Sequence, residues 1–275
     1  MRGDPPGSPG VVDAMDEIWD KRLRRCDSLT PQWPFAAEIL GFFRSITLFQ
    51  REFARSPATS AIQEAIDRDD FQPFVPHLDR LIEHVCENGP AALIQKARQI
   101  AARSREERER LLFNFWLMPD EVDPTEEFFP KVLLQPQAMV VTSKRSTKQT
   151  DDLASGLCPS CGCPPVVSVL REDKLAEAVA RSLVCSLCSL EWSFTRVLCP
   201  GCREEKPERL PRLAAAEIPW IRVEACDACG RYLKAVDLTK DPAADPVTDE
   251  IASTPLDVVA AERGYAKLQA NIVGV

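Results

Sequence analysis

Cys158-Pro-Ser-Cys161 and Cys185-Ser-Leu-Cys188 are two cysteine pairs separated by 23 residues. Ten residues later the same spacing returns as Cys199-Pro-Gly-Cys202 and Cys226-Asp-Ala-Cys229, each pair lying 41 residues after its counterpart. A two-residue gap lets both thiolates of a tight turn point at one ion, and two such turns complete a tetrahedral four-thiolate site. The duplicated spacing therefore predicts two metal-binding knuckle modules in tandem.

Two assignments of these cysteines to sites are open. Pairing by chain order is favoured because each repeat is then a complete site, whereas a cross-braced fold would interleave the pairs. All-thiolate coordination suits iron and zinc alike, and a closed four-thiolate site leaves no position for a substrate. In the sequential assignment, one metal ion is held by Cys158, Cys161, Cys185 and Cys188, and the other by Cys199, Cys202, Cys226 and Cys229.

Composition places the chain among soluble globular proteins. It has 275 residues, of which 45% are hydrophobic and 28% charged, and eleven are cysteines. Met1–Gly10 lacks the layout of a secretory signal, and no apolar run approaches the length of a membrane span. We therefore expect a cytoplasmic protein without membrane insertion, whose thiols are reduced and hold metal rather than form disulfides.

The charge balance argues against nucleic-acid binding. The net charge is −8 before any thiolate is counted. Residues 157–240 hold 12 Lys and Arg against 11 Asp and Glu. Eight thiolates and two divalent ions would bring this region to about −3, and modules that neutralise phosphates usually carry a basic face. No nucleic-acid partner is expected.

Hydrophobic periodicity predicts an α+β protein with a helical N-terminal domain. Its clearest stripe is Phe35, Ile39, Phe42, Ile46, Phe49 and Phe53, which we interpret as a core-packing face rather than a docking face. Four further helices are predicted at Val12–Cys26, at Ala58–Arg68, at Val75–Val85 and from Ala91 toward Phe115. A last segment, Phe128–Leu133, also has helical periodicity. Pro130 within it and Pro136 after it should bend or split this helix.

Composition shifts divide the chain into five parts. A polar stretch at 143–156 is the predicted linker after the α-helical domain at 1–142. The first module covers 157–196, the second 197–240, and a connector with a C-terminal helix covers 241–275. Short runs rich in β-branched and aromatic residues predict strands within the modules. They are Val166–Leu170, Ser182–Cys185, Trp192–Leu198, Ile221–Glu224 and Tyr232–Leu238.

The remaining cysteines and histidines offer little chemistry. Cys163 could exchange with a ligand or act as a redox group, but an unpaired bystander is the simpler interpretation. Cys26 and Cys86 resemble small core residues, and His77 and His84 resemble ordinary helix positions. No Ser/His/Asp arrangement, Gly-rich phosphate loop or carboxylate pair is evident. We therefore expect no catalytic residues, no organic cofactor site and no enzymatic activity.

A longer pattern around the knuckles resembles a known family. It begins Cys158-Pro-Ser-Cys161-Gly162 and continues with Cys185-x-Leu-Cys188-x-x-Glu191-Trp192-x-x-x-Arg196. It ends with Glu224-Ala-Cys226-Asp-x-Cys229-Gly230-x-Tyr232-Leu233-Lys234, followed by Asp249-x-x-Ala252-Ser253 and Gly264-Tyr265-Ala266. Together these residues resemble the formate dehydrogenase accessory proteins of the FdhE family, with about 110 residues matching specifically.

The resemblance implies a helical domain joined to two rubredoxin-like modules of the zinc-ribbon type. It implies two metal ions, iron or zinc, and a cytoplasmic partner, the immature catalytic subunit of formate dehydrogenase. Trp192 is then a lid over a knuckle. Arg196 and Glu224 either form an ion pair or meet the partner. The alternatives are a rubredoxin-like electron carrier and, less favoured, a zinc-ribbon nucleic-acid binder.

Overall fold

The structure is a computed structural model that describes residues 11–55, 69–118, 121–144, 154–173 and 178–274. The first ten residues, the helix predicted at Ala58–Arg68 and most of the predicted linker lie outside these ranges. The chain forms two compact units. One contains Met1–Leu23 and Ser45–Lys144, and the other contains Arg24–Arg44 and Arg145–Val275. The first two helices therefore each run through a boundary between units.

Helices precede the strands along the chain. The helices are α1 (Val11–Gln32), α2 (Ala37–Ala54), α3 (Val75–Asn88), α4 (Ala91–Ala101), α5 (Arg105–Leu117) and α6 (Phe128–Lys144). The strands are β1 (Pro165–Asp173), β2 (Ala178–Cys185), β3 (Glu191–Phe194), β4 (Arg212–Ala214), β5 (Ile221–Cys226), β6 (Arg231–Asp237) and β7 (Ala266–Lys267). Helices α7 (Pro246–Ala252) and α8 (Thr254–Glu262) lie between β6 and β7.

The predicted core stripes are largely buried. Met15 and Trp19 of α1 pack with Ala54, Met139 and Val140 in the first unit. On α2, the side chains of Phe42, Ile46 and Phe53 are buried, while Ile39 and Phe49 are half-buried. Phe35 does not belong to the stripe, because it lies in a 3-10 turn at Pro34–Ala36 before the helix and is 59% exposed.

The structure divides two of the predicted helices. The helix expected from Ala91 toward Phe115 is interrupted, because Ser104 and Glu107 form a capping box that starts α5. The Ser104 hydroxyl accepts from the Glu107 N–H at 3.2 Å, and the Glu107 carboxylate accepts from the Ser104 N–H at 2.8 Å. Conversely, α6 is not split, and it continues through Pro136. The single C-terminal helix is divided into α7 and α8, with Pro255 in the first turn of α8, where no N–H is needed.

One sheet runs through both cysteine modules. Its order is β3-β2-β1-β6-β5-β4, with β7 beside β6. Within each module the pairing is antiparallel, and the parallel pairing of β1 with β6 joins the modules. The run predicted as a strand at Trp192–Leu198 ends at Phe194, and the three-residue strand β4 was not predicted.

The two faces of this sheet differ in character. Ser168, Ala235 and Arg222 are cross-strand neighbours and so share one face, together with Glu224. Lys234 points to the opposite face, where its side chain reaches Glu250 of α7 and Asp257 of α8. One face is thus covered by α7 and α8, and the other carries an arginine–glutamate cluster beside the knuckles.

Candidate metal centres

The knuckles share one backbone conformation. The N–H of the first cysteine donates to the carbonyl five residues later in three of them, from Cys158, Cys185 and Cys199, each at 2.9 Å. The corresponding residues in the fourth, Cys226 and Arg231, are partners in the β5–β6 ladder. These bonds close each knuckle into a tight turn that directs both thiols to the same side.

The residue after the second cysteine adopts left-handed backbone in all four knuckles. Gly162 and Gly230 have φ of 75° and 67°, and Ser189 and Arg203 have φ of 57° and 65°. Glycine reaches this region without strain, whereas residues with a Cβ do so at a cost. Only two of the four positions carry the glycine that would have marked them in the sequence.

The eight cysteines come together as two groups of four in chain order. The groups are Cys158, Cys161, Cys185 and Cys188, and Cys199, Cys202, Cys226 and Cys229, with all sulfurs of a group within 4.8 Å of one another. The interleaved arrangement does not occur among the described residues.

The sulfur separations fit a tetrahedral thiolate site. In the first group they include 3.5 Å between Cys158 and Cys188 and 3.3 Å between Cys161 and Cys185. In the second group, 3.8 Å separates Cys199 from Cys229. A tetrahedron with metal–sulfur distances near 2.3 Å has sulfurs about 3.8 Å apart, whereas a disulfide needs about 2.05 Å. The donor set therefore fits a closed four-thiolate metal site and does not fit disulfides.

The two groups differ in accessibility. In the first, Cys158, Cys185 and Cys188 are buried and Cys161 is half-buried. In the second, Cys202 is exposed and Cys229 half-buried. Backbone N–H groups of Leu187 and Cys188 approach the Cys185 sulfur at 3.4 Å, and the Gly201 N–H approaches the Cys199 sulfur at the same distance. Such donors stabilise bound thiolates.

Cys163 lies beside the first group but is not one of its four. A hydrogen bond with Cys161 raises the pKa of Cys163 to about 12. A raised pKa favours the protonated thiol, which is a weaker nucleophile than the thiolate. Its backbone has the clearer role, since the Cys163 carbonyl accepts the Cys158 N–H that closes the first knuckle.

Trp192 is buried next to the first module. It lies on β3 and is 7% exposed, and its indole N–H donates to the Ser155 carbonyl at 3.2 Å. This bond holds the segment that leads into the first knuckle.

Of the two alternatives for Arg196 and Glu224, an ion pair between them is not found among the described residues, and contact with a partner stays a prediction. Instead Glu224 pairs with Arg181 of β2 at 2.8 Å and with Arg222 at 2.7 Å, while Arg196 is exposed. Arg181 can span from β2 to β5 because the intervening Ser168 is small and accepts its Nε–H at 2.9 Å. Although burial raises the pKa of Glu224, Arg181 and Arg222 hold it below its ordinary value.

Two further charge clusters hold elements onto the sheet unit, and the sequence did not reveal them. Lys234 and Glu250, both fully buried, form an ion pair at 3.1 Å, and Lys267 also pairs with Glu250. Arg25 of α1 contacts the buried carboxylate of Asp249 with two hydrogen bonds of 2.8 and 2.6 Å. Each pair joins residues distant in sequence, so neither leaves a local pattern.

The histidines and the other cysteines take no part in the four-sulfur groups. His77 packs edge-on against Phe53, and His84 shares a hydrogen bond of 3.1 Å with Ser45. Burial lowers the pKa of both histidines, which favours their neutral forms. Cys26 is buried and Cys86 half-buried. Among the described residues, we find no helix that combines the length and the hydrophobicity of a membrane span.

Comparison with known proteins agrees with this architecture. Residues 157–196 match the family model described as FdhE, central domain, and residues 197–273 match FdhE, C-terminal domain. The chain is 30% identical to a protein FdhE homolog of Aquifex aeolicus over 205 residues, covering 74% of this chain and 71% of the relative. A homolog from Pseudomonas aeruginosa is 38% identical over 121 residues, which is 42% of this chain and 39% of that protein.

A solved structure shows the same fold over nearly the whole length. The crystal structure of the FdhE protein from Pseudomonas aeruginosa aligns with a TM-score of 0.70, covering 94% of this chain and 96% of that one at 23% identity. The helices and the shared sheet therefore belong to a known architecture. With the relative from Aquifex aeolicus, these matches show that the chain is a member of the FdhE family.

Proposed function

We propose that this protein is an accessory factor needed to form active formate dehydrogenase, and that it acts on the immature catalytic subunit in the cytoplasm. Membership of the FdhE family supports the connection with formate dehydrogenase. The action would be binding rather than catalysis, because the eight ordered thiols form closed groups with no open coordination position.

We further propose that the eight knuckle cysteines hold two metal ions, iron or zinc. The observation that supports this most directly is the pair of four-sulfur clusters with separations near those of a tetrahedral site. Zinc would supply structure alone, whereas iron in such a site would add a one-electron couple. Metal analysis of protein purified from its own host, with the visible spectrum before and after dithionite, distinguishes the two.

A rubredoxin-like electron carrier is the second candidate. It is favoured by the exposed Cys202, since a thiolate at the surface shortens the path for an electron entering the second site. This function requires iron with a reversible potential. Bleaching of an iron–thiolate absorption by reductant, and its return in air, would support the carrier. A colourless zinc protein would eliminate it.

The decisive experiment for the accessory function compares cells with and without this chain. Formate-dependent dye reduction is measured in extracts, and the abundance of the catalytic subunit is followed in parallel by immunoblot. We expect activity to disappear while the subunit persists. Unchanged activity in a host with a single formate dehydrogenase would refute the proposal.

A further inference from the structure

A cavity of about 400 Å³ opens on the sheet face that carries Glu224, where the two modules meet. Its polar lining comes from Arg181, Arg196, Arg212 and Glu224, and it also touches the knuckle residues Cys199 and Cys226. Leu198, Pro207 and Leu210 provide apolar walls. The volume lies within the usual range for a small-ligand site.

The base of this cavity is an ion-paired cluster in which two guanidiniums share one carboxylate. The Arg181 guanidinium is 3% exposed, and it pairs with Glu224 while donating to the Leu198 carbonyl at 2.8 Å. It also stacks on Phe194, with 5.1 Å between the guanidinium carbon and the ring centroid. Since Arg222 pairs with the same carboxylate, these contacts leave the base rigid and fix its shape before any ligand binds.

The other two guanidiniums remain available. Arg196 and Arg212 are both exposed, and within the described ranges neither forms a hydrogen bond or an ion pair within 4 Å. Arg212 lies opposite Glu224 in the β4–β5 ladder, so it stands directly beside the cavity base. The cavity therefore combines a rigid base, apolar walls and two exposed cations in a protein whose net charge is −8.

We propose that this cavity binds a carboxylate-bearing peptide segment of the partner protein. A guanidinium matches a carboxylate bidentately, and leucine and proline walls suit the aliphatic part of an acidic segment. The cavity is much larger than a free inorganic anion requires. The inference deepens the proposed function, on which its biological meaning rests, by naming the chemistry through which the immature subunit is held. The bound segment would lie against the second four-cysteine group.

The test uses the full chain with its native metal and a fluorescein-labelled peptide of alternating leucine and glutamate. Fluorescence anisotropy is measured for the wild type, for R196A/R212A, and for R263A as a matched control, since Arg263 is another exposed arginine of the same unit. We expect saturable binding by the wild type and R263A. Loss of two charge-assisted contacts should weaken binding about tenfold or more in R196A/R212A.

Several outcomes would overturn the proposal. They are no saturable binding by the wild type, equal affinity in R196A/R212A, or displacement by inorganic phosphate as effective as displacement by unlabelled peptide at matched ionic strength. Metal content and circular dichroism establish that the double variant is folded, and R196K/R212K should retain part of the affinity.

The dye-reduction assay separates this inference from the accessory function. If R196A/R212A restores formate dehydrogenase activity fully in cells lacking the chain, the cavity proposal fails while the accessory function stands. If the wild-type chain itself is dispensable for activity, the accessory function fails whatever the peptide titration shows.

Discussion

At the residue scale, the fifth position of each knuckle is held in left-handed backbone by the hydrogen bonds that close the turn. Gly230 donates to the Cys226 carbonyl at 2.9 Å, and Arg203 donates to the Cys199 carbonyl at the same distance. Identical geometry is therefore reached with glycine and with arginine. The difference lies in the backbone strain that the β-carbon adds.

Replacing the two non-glycine residues should stabilise the protein. We expect Ser189→Gly and Arg203→Gly each to raise the free energy of unfolding by about 1 kcal/mol, because a left-handed residue with a Cβ costs roughly 1–2 kcal/mol and glycine gives back part of this as unfolded-state entropy. Gly162→Ala and Gly230→Ala should lower the free energy of unfolding, because alanine at these positions adds the strain that glycine avoids. Urea denaturation of the metal-loaded protein measures all four, and stabilisation by the alanine variants would contradict the argument.

Arg181 offers a second test at this scale. Without Arg181, the Glu224 carboxylate loses one of the two positive charges that pair with it. Breaking a buried ion pair typically costs about 3–5 kcal/mol of folding free energy. Arg181→Met should therefore destabilise strongly. Arg171→Met is the control, because Arg171 pairs with Glu191 at the surface, where an ion pair contributes about 0–1 kcal/mol. Similar losses in the two variants would refute the buried role of Arg181.

At the scale of elements, α7, α8 and β7 are fixed to the sheet by the Lys234 network. Glu250 accepts from Asn271 at 2.8 Å and pairs with Lys234 and Lys267, while Asp257 accepts from Lys234 at 2.7 Å. Burial by itself raises the pKa of Glu250. The positive charges of Lys234 and Lys267 lower it by a larger amount, so the pKa of Glu250 lies below its ordinary value. The ionised carboxylate is therefore the form that stabilises the fold.

Neutralising this carboxylate should loosen the C-terminal elements. We expect Glu250→Gln to cost about 3–5 kcal/mol at pH 7, and Glu262→Gln, on the exposed end of α8, to cost little. Because the pKa of Glu250 is depressed in the folded state, its contribution to stability is present above the unfolded pKa of about 4.3 and is lost as the pH falls through the folded value. Urea denaturation at a series of pH values from 7 downward should show that the difference in free energy of unfolding between the wild type and Glu250→Gln becomes smaller. A difference independent of pH would contradict this.

The sequence revealed some elements and not others for physical reasons. The stripe of α2 and the cysteine spacing are local patterns, so the core face and the two four-sulfur groups could be predicted. The capping box at Ser104 was present in the sequence as Ser-x-x-Glu but lay within a charged run that suggested a continuous helix. The pairs of Arg181 with Glu224 and of Arg25 with Asp249 depend on the fold itself.

At the scale of the whole molecule, the shared sheet couples the two proposed metal sites. Because β1 pairs with β6, each four-cysteine group is attached to a strand that pairs with a strand of the other module. Loss of one proposed metal site should therefore destabilise the other module as well as its own. The tandem repeat in the sequence predicted two modules but gave no indication that one sheet joins them.

Removing one proposed ligand tests this coupling. We expect Cys226→Ser to lower the metal content from two ions per chain to one and to make the second module protease-sensitive, since a structural site contributes about 10–16 kcal/mol. The first module should also exchange its amide protons faster, as measured by hydrogen–deuterium exchange. Cys163→Ser is the matched control and should keep both ions. Full metal content and protease resistance in Cys226→Ser would refute the ligand assignment.

The Arg25–Asp249 pair determines how the molecule can be divided. A fragment that starts at residue 154 keeps all eight paired cysteines, but it lacks the guanidinium that compensates a fully buried carboxylate. Asp249 also accepts from the Trp220 indole at 2.9 Å and from the Asp245 N–H at 2.9 Å, so its side chain cannot simply turn to solvent without losing both. The metal-binding half is consequently not autonomous. Any transplant of it into another protein must carry residues 24–44 along.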